Sequence, residues 1–191
     1  MDYLGYSIGP DRVSVRAETV ARLKSKLALR FVTHKKHSRD RPWNVDLEQW
    51  QKLCRQRLEW FLNLSISGCV FEGRGRGWIH YFSLINDFGL LQDLDYFVER
   101  KTSSAGLTGL ISVKSFLKSF RHAVAFSVDK GGYVPNFDKF TEQQQRDTLA
   151  LIFRVPEEKL MSLDANQVES LFHRRMRSEL DTLETDLALV Y

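Results

Sequence analysis

A chain of 191 residues, 43% hydrophobic and 27% charged, is long enough to bury a sizeable core and too apolar to remain disordered. No apolar run approaches the roughly 18 residues a membrane span needs, so no membrane partner is expected. The N-terminus lacks the basic and apolar stretches of a secretory signal, so a cytoplasmic protein is expected. The net charge is only +4, yet residues 1–42 hold ten Lys/Arg against four Asp/Glu, and residues 141–191 hold six against ten. A basic front of this kind suits a polyanion, and an acidic back does not. Cys54 and Cys69 lack metal-ligand spacing and read as structural thiols of a reducing compartment.

The chain opens on two short predicted strands, Tyr3–Ile8 and Arg12–Val15, around a turn at Gly9-Pro10. A lone hairpin is marginal in water, so it needs a larger neighbour. A first helix is expected over about Glu18–Val32, with Val20, Leu23, Leu27 and Phe31 forming an apolar stripe. Arg22, Lys26 and Arg30 form a basic stripe beside it, since i, i+4 and i+8 share one side of a helix. The following segment THKKHSRDRPWN, with Lys35, Lys36 and Arg39, reads as a basic loop. It is either a solvated connector or a phosphate-contacting loop.

Asp46 is a credible N-cap for a second helix, with Gln49 at N3 and Val45 able to staple onto Trp50. Leu47, Trp50, Leu53, Cys54, Leu58, Trp60 and Phe61 share its apolar face. Arg57 interrupts that face and is expected at its margin, paired with Glu99 or Asp95. Next comes VFEGRGRGWIHYF, with Gly77–Asn86 predicted helical. Gly73, Gly75 and Gly77 do not make a dinucleotide fingerprint, because Trp78 stands where the third glycine belongs and no βαβ alternation surrounds it. A Walker loop is excluded by the lack of Gly-Lys-Ser/Thr. The simplest reading is a flexible basic joint, with Arg74 and Arg76 as possible phosphate contacts. Further helices are expected over about Leu90–Lys101 and Val113–Val128, separated by the break TSSAGLTG. Two more start at the capping pairs Thr141/Gln144 and Asp164/Gln167, with DKGGYVPNFDKF as a connector before them. The fold class is therefore mostly α, with a short N-terminal β-hairpin.

Two stretches carry a family resemblance. DYLGYSIGPDRVSVRAETVARLKSKL resembles the palm-to-thumb junction of bacterial reverse transcriptases, and GRGWIHYFSLINDFGLLQDLDYFVERK resembles the later thumb helices of group II intron-like enzymes. Diversity-generating, defence-associated and maturase-type enzymes are the most similar subfamilies. The resemblance covers about residues 2–101, and residues 103–191 match no pattern. It divides the chain into a palm-end hairpin and thumb-like helical domain, 1–102, and a helical C-terminal region, 103–191, of unassigned role.

The resemblance implies an RNA-directed DNA polymerase portion that grips the backbone of an RNA or RNA–DNA duplex. Leu4, Gly5 and Tyr6 correspond to its primer-gripping strand. Arg22, Lys26 and Arg30 lie where the thumb helix follows the duplex, and Arg16, Lys35, Lys36, Arg39, Arg74 and Arg76 extend the basic surface. No catalytic or metal-ligand residue is expected. Polymerisation needs paired metal ions on carboxylates, and the family's Tyr-x-Asp-Asp turn does not occur in this sequence. Mg²⁺ is therefore expected only at a palm supplied elsewhere, and residues 103–191 are expected to meet that palm and fingers or another protein. Two other readings stay open: a freestanding helical adaptor whose acidic C-terminal half binds a protein, and a small nucleic-acid-binding regulator. His34, His37, His80, His122 and His173 read as solvent-facing or core histidines.

Overall fold

A computed structural model of the chain describes residues 2–124 and 132–188. The expected helix end at 125–128 and the first three connector residues, 129–131, lie outside the described residues. The protein is mostly α, with two small antiparallel sheets.

The first sheet contains β1 (Asp2–Tyr3), β2 (Tyr6–Ile8) and β3 (Val13–Val15). The expected single strand Tyr3–Ile8 is broken by a two-residue turn. Leu4 and Gly5 both have positive φ, 47° and 81°, and Tyr3 pairs with Tyr6 across them. Such tight hairpin turns match the right-handed twist of their strands. Helix α1 (Ala17–Arg39) ends seven residues beyond the expected Val32. Nothing in THKKHSR breaks a helix, and its cations suit the negative C-terminal end of the helix dipole. Lys35, Lys36 and Arg39 thus stand on a helix rather than a loop.

Asp46 caps α2 (Leu47–Ser67), its side chain accepting from the N–H groups of Glu48 and Gln49. Trp50, Cys54, Leu58 and Leu62 are buried along it, whereas Leu47 is exposed. The glycine segment is no flexible joint. It forms a second hairpin, β4 (Cys69–Phe71) and β5 (Arg74–Arg76), turning at Glu72 (φ 54°) and Gly73 (φ 69°). Asp138 locks that turn by accepting from the N–H groups of both residues. The expected helix Gly77–Asn86 shrinks to the single turn α3 (Trp78–Tyr81). Asp87 then caps α4 (Phe88–Ser104).

The rest is α5 (Phe116–Val124), a 3-10 turn at Phe137–Lys139, α6 (Glu142–Leu151), α7 (Glu157–Met161) and α8 (Ala165–Ala188). Thr141 and Gln144 form the expected capping box of α6. Asp164 and Gln167 do the same for α8, each backbone N–H donating to the other's side chain. Asp95, offered above as a partner for Arg57, instead caps α5, accepting from Ser115 Oγ (2.6 Å) and Phe116 N (2.5 Å).

Two apolar cores result. One gathers Leu27, Leu62, Ile79, Phe82, Leu94 and Phe116 from α1–α5. The other gathers Phe71, Leu149, Phe172 and Met176 around α6 and α8. Neither core divides at residue 102. Leu107, Phe116 and Phe120 pack with the first, while Leu64 and Cys69 pack with the second.

Candidate nucleic-acid interface

The two stretches that carry the family resemblance meet in space. Tyr6 donates its hydroxyl to the Tyr81 carbonyl (2.7 Å) and packs edge-on against Phe82. Asn86 brackets Val13, its side chain accepting from Val13 N (2.8 Å) and its own N–H donating to Val13 O. Asp87 accepts from Arg12 and from Ser14 Oγ while capping α4. Burial pushes the Asp87 carboxyl up, but these hydrogen bonds together hold it below the usual aspartate range. Leu4, Gly5 and Tyr6 therefore form a braced hairpin tip, with Gly5 buried and its carbonyl accepting from Arg16 N.

The basic stripe of α1 is turned inward. Arg30 pairs with Glu179 of α8 and lies 4.5 Å from the Phe61 ring centre. Lys26 donates to the carbonyls of Thr182 (3.0 Å) and Leu183 (3.1 Å). Arg22, one turn earlier, is half-buried and donates to Thr19 Oγ1. Arg76 is likewise engaged by α8. Its guanidinium donates to Glu184 (2.7 Å) and Asp181 (3.3 Å), and Glu184 also accepts from Gly77 N. Hydrogen bonding to Glu184 raises the pKa of Arg76 further. Acids of α8 thus engage Arg30 of the basic front and Arg76 of the second hairpin.

The cations left outward are Lys35, Lys36 and Arg39 on the last turns of α1, with Arg74 on the second hairpin, all exposed. Arg16 is half-buried and pairs with Glu18 (3.0 Å). Among the described residues no cluster of His, Cys, Asp and Glu could hold a metal ion, and no helix is long and apolar enough to cross a membrane. Both cysteines are buried and free, and burial pushes the Cys69 thiol up to about 12.

A second basic feature lies where α1, α2 and the α6–α7 connection meet. Arg30, His34, His37, Arg57 and Arg154 line a cavity of about 190 Å³ with Cys54, Leu58 and Phe61. Arg57 does not pair with Glu99 or Asp95, since Asp95 is spent on α5. Its Nη1 is buried and has no hydrogen-bond partner among the described residues. Burial, then the Arg154 charge, brings its pKa down to about 10. Arg154 has φ 54° and lies 5.3 Å from the Trp50 ring centre. Burial lowers the pKa of His34 and of His37, and in His37 the charges of Arg154 and Arg57 add to it. Two histidines expected to be ordinary surface or core residues are thus walls of a cationic hollow. Arg154 carried no sequence signal, because neither its backbone conformation nor its approach to α2 is periodic.

Comparison with protein-family models, curated proteins and solved structures finds no match to this chain.

Proposed function

We propose that the chain is a nucleic-acid-binding, thumb-like portion of a reverse-transcriptase-type polymerase, holding a template–primer duplex by its backbone for an active site supplied elsewhere. The observation that carries this reading is the interlocking of the Leu4–Gly5–Tyr6 hairpin with the segment 78–87. The two stretches on which the resemblance rests lie about 75 positions apart and share hydrogen bonds and a core. The outward cations give the reading its chemistry. Lys35, Lys36 and Arg39 project from one helix end and can follow phosphates, whereas Lys26, Arg30 and Arg76 are committed to α8.

Fluorescence anisotropy of the full chain with an RNA–DNA hybrid and a DNA duplex tests this. The logarithm of the binding constant should fall linearly with the logarithm of salt, by about 0.9 per phosphate contact on B-form DNA. The hybrid should bind at least as tightly as DNA, since shape and backbone are read. Changing Lys35, Lys36 and Arg39 together to Glu should flatten the slope by about three contacts and weaken all sequences alike. Absence of duplex binding even at about 20 mM salt, where screening is weak, would remove this reading and leave a helical adaptor as the better account.

A further inference from the structure

The cavity between α1, α2 and the α6–α7 connection is unusual for its charge. A half-buried guanidinium normally sits beside a carboxylate, because an unpaired cation out of water is costly. Here Arg57 faces a second cation, Arg154, and no described acid pairs with either. The Asp40 charge acts on His37, against the lowering by burial and by Arg154 and Arg57. Arg30, which also lines the cavity, is paired with Glu179.

The backbone makes the same point. Arg154 is held in the left-handed region, which is unfavourable for a residue with a Cβ. Val155 N donating to Leu149 O and Phe153 N to Thr148 O fix the chain on either side of it. The guanidinium is thereby set against Trp50 in the cavity that Arg57 also lines, and its charge lowers the pKa of Arg57. Strain and like-charge repulsion held at one cavity are features of a site prepared for a ligand that relieves both.

We propose that this cavity binds a phosphate monoester, its oxygens bridging Arg57 and Arg154 with His37 beside them. Planar guanidinium groups suit the oxygen spacing of phosphate and can clamp it from two sides. A dianion balances the paired cations, which a carboxylate would not. The volume corresponds to about six waters at ~30 Å³ each, more than a bare phosphate fills. Leu58 and Phe61 supply apolar wall for the group the phosphate carries. Two sources offer this chemistry: a mononucleotide and the 5′ end of a nucleic-acid strand. The site shares no residue with Lys35, Lys36 and Arg39, so it stands or falls independently of duplex binding there.

The test uses the full chain. Its melting temperature and tryptophan emission are followed with inorganic phosphate, adenosine 5′-monophosphate, and one oligonucleotide carrying either a 5′-phosphate or a 5′-hydroxyl. Phosphate and the mononucleotide should raise the melting temperature and perturb the emission of Trp50, and Trp50→Phe should remove that emission change. If the physiological source is a strand end, the 5′-phosphate should tighten oligonucleotide binding by about tenfold. If it is a mononucleotide, the two oligonucleotides should bind alike and the mononucleotide should bind more tightly than phosphate. Arg57→Met should abolish the response to phosphate and raise the melting temperature in phosphate-free buffer, because it removes an unpaired cation. Arg154→Gln, at an exposed side chain, should abolish the response without that requirement on the core. The proposal is overturned if phosphate, the mononucleotide and the 5′-phosphate all leave the wild type unchanged, or if the response survives either substitution.

Discussion

A Cβ placed on Gly75 would lie 2.4 Å from His80 Nδ1, and one on Gly68 would lie 2.2 Å from the Arg76 carbonyl oxygen. These glycines are there because other atoms need the space, whereas Gly73 has open space around it and a φ of 69°. The two kinds separate on mutation. Gly75→Ala must displace the His80 ring and should cost about 1–3 kcal/mol, as overpacking does. Gly73→Ala pays only the left-handed backbone term of about 1 kcal/mol, and Gly73→Asn less, since Asn tolerates that region. Equal losses at the two positions in urea denaturation would contradict the packing described. The histidines give a second test at this scale. Burial lowers the pKa of His34, His37 and His80; at His34 the hydrogen bond to the Cys54 carbonyl opposes it, and Arg55 and His37 add to it. Arg154, Arg57 and Lys36 add to it at His37, where Asp40 opposes it, and Glu184 opposes it at His80. A histidine whose folded pKa lies below its unfolded value of about 6.5 takes up its proton more readily when unfolded. Its contribution is complete above that value and is lost as pH falls through the folded pKa. The urea midpoint should therefore fall between about pH 7 and pH 5, and His37→Asn should make the decline shallower. A flat profile over that range would show that these rings do not resist protonation.

Among the elements, α8 carries the most varied load: its buried side packs on α6 while its acids and carbonyls hold α1 and the second hairpin. Glu184 accepts from both Arg76 and the Gly77 backbone, and it is one-quarter exposed, so Glu184→Ala should cost about 2–3 kcal/mol. Asp181 touches the same guanidinium but is 72% exposed, so Asp181→Ala should cost under about 0.5 kcal/mol. Thermal melts of the two variants would distinguish a clamp at Glu184 from a diffuse acidic face. The start of α8 was legible in the sequence, as were the starts of α2 and α6, because a capping residue and its partner three positions on are local chemistry. The ends of elements were not. Helix α1 continues past Phe31 because its last two turns need no core, only the absence of a breaker before Asp40. The turn at Gly9-Pro10 was legible, but those at Leu4-Gly5 and Glu72-Gly73 were not, because Leu4 and Glu72 adopt positive φ, which their side-chain types disfavour and only the surrounding fold imposes.

For the whole molecule, the sequence shows a basic front and an acidic back, and the folded chain puts one against the other. Composition along a line cannot reveal this, since Arg30 and Glu179 lie 149 positions apart and only the return of α8 past α1 joins them. The candidate interface changes accordingly: the stripe Arg22, Lys26, Arg30 that periodicity singles out is partly covered, while the helix end with Lys35, Lys36 and Arg39 stays open. A charge exchange tests this arrangement and its functional consequence together. Both side chains of the Arg30–Glu179 pair are at least three-quarters buried, so Arg30→Glu should leave facing carboxylates and destabilise the fold by about 3–5 kcal/mol. Glu179→Arg alone should do comparable harm by placing two guanidinium groups together. Combining them restores an ion pair of reversed polarity, and the double variant should recover most of the loss, a coupling of about 1–3 kcal/mol in the mutant cycle. Duplex affinity then discriminates between surfaces. If Arg30 reads phosphates directly, the double variant stays folded but loses a cationic contact, and its salt slope flattens by about one. If Arg30 serves only to dock α8, the double variant binds as the wild type does, with an unchanged slope. The second outcome is expected, and a folded double variant with a flattened slope would return the α1 stripe to the nucleic-acid surface.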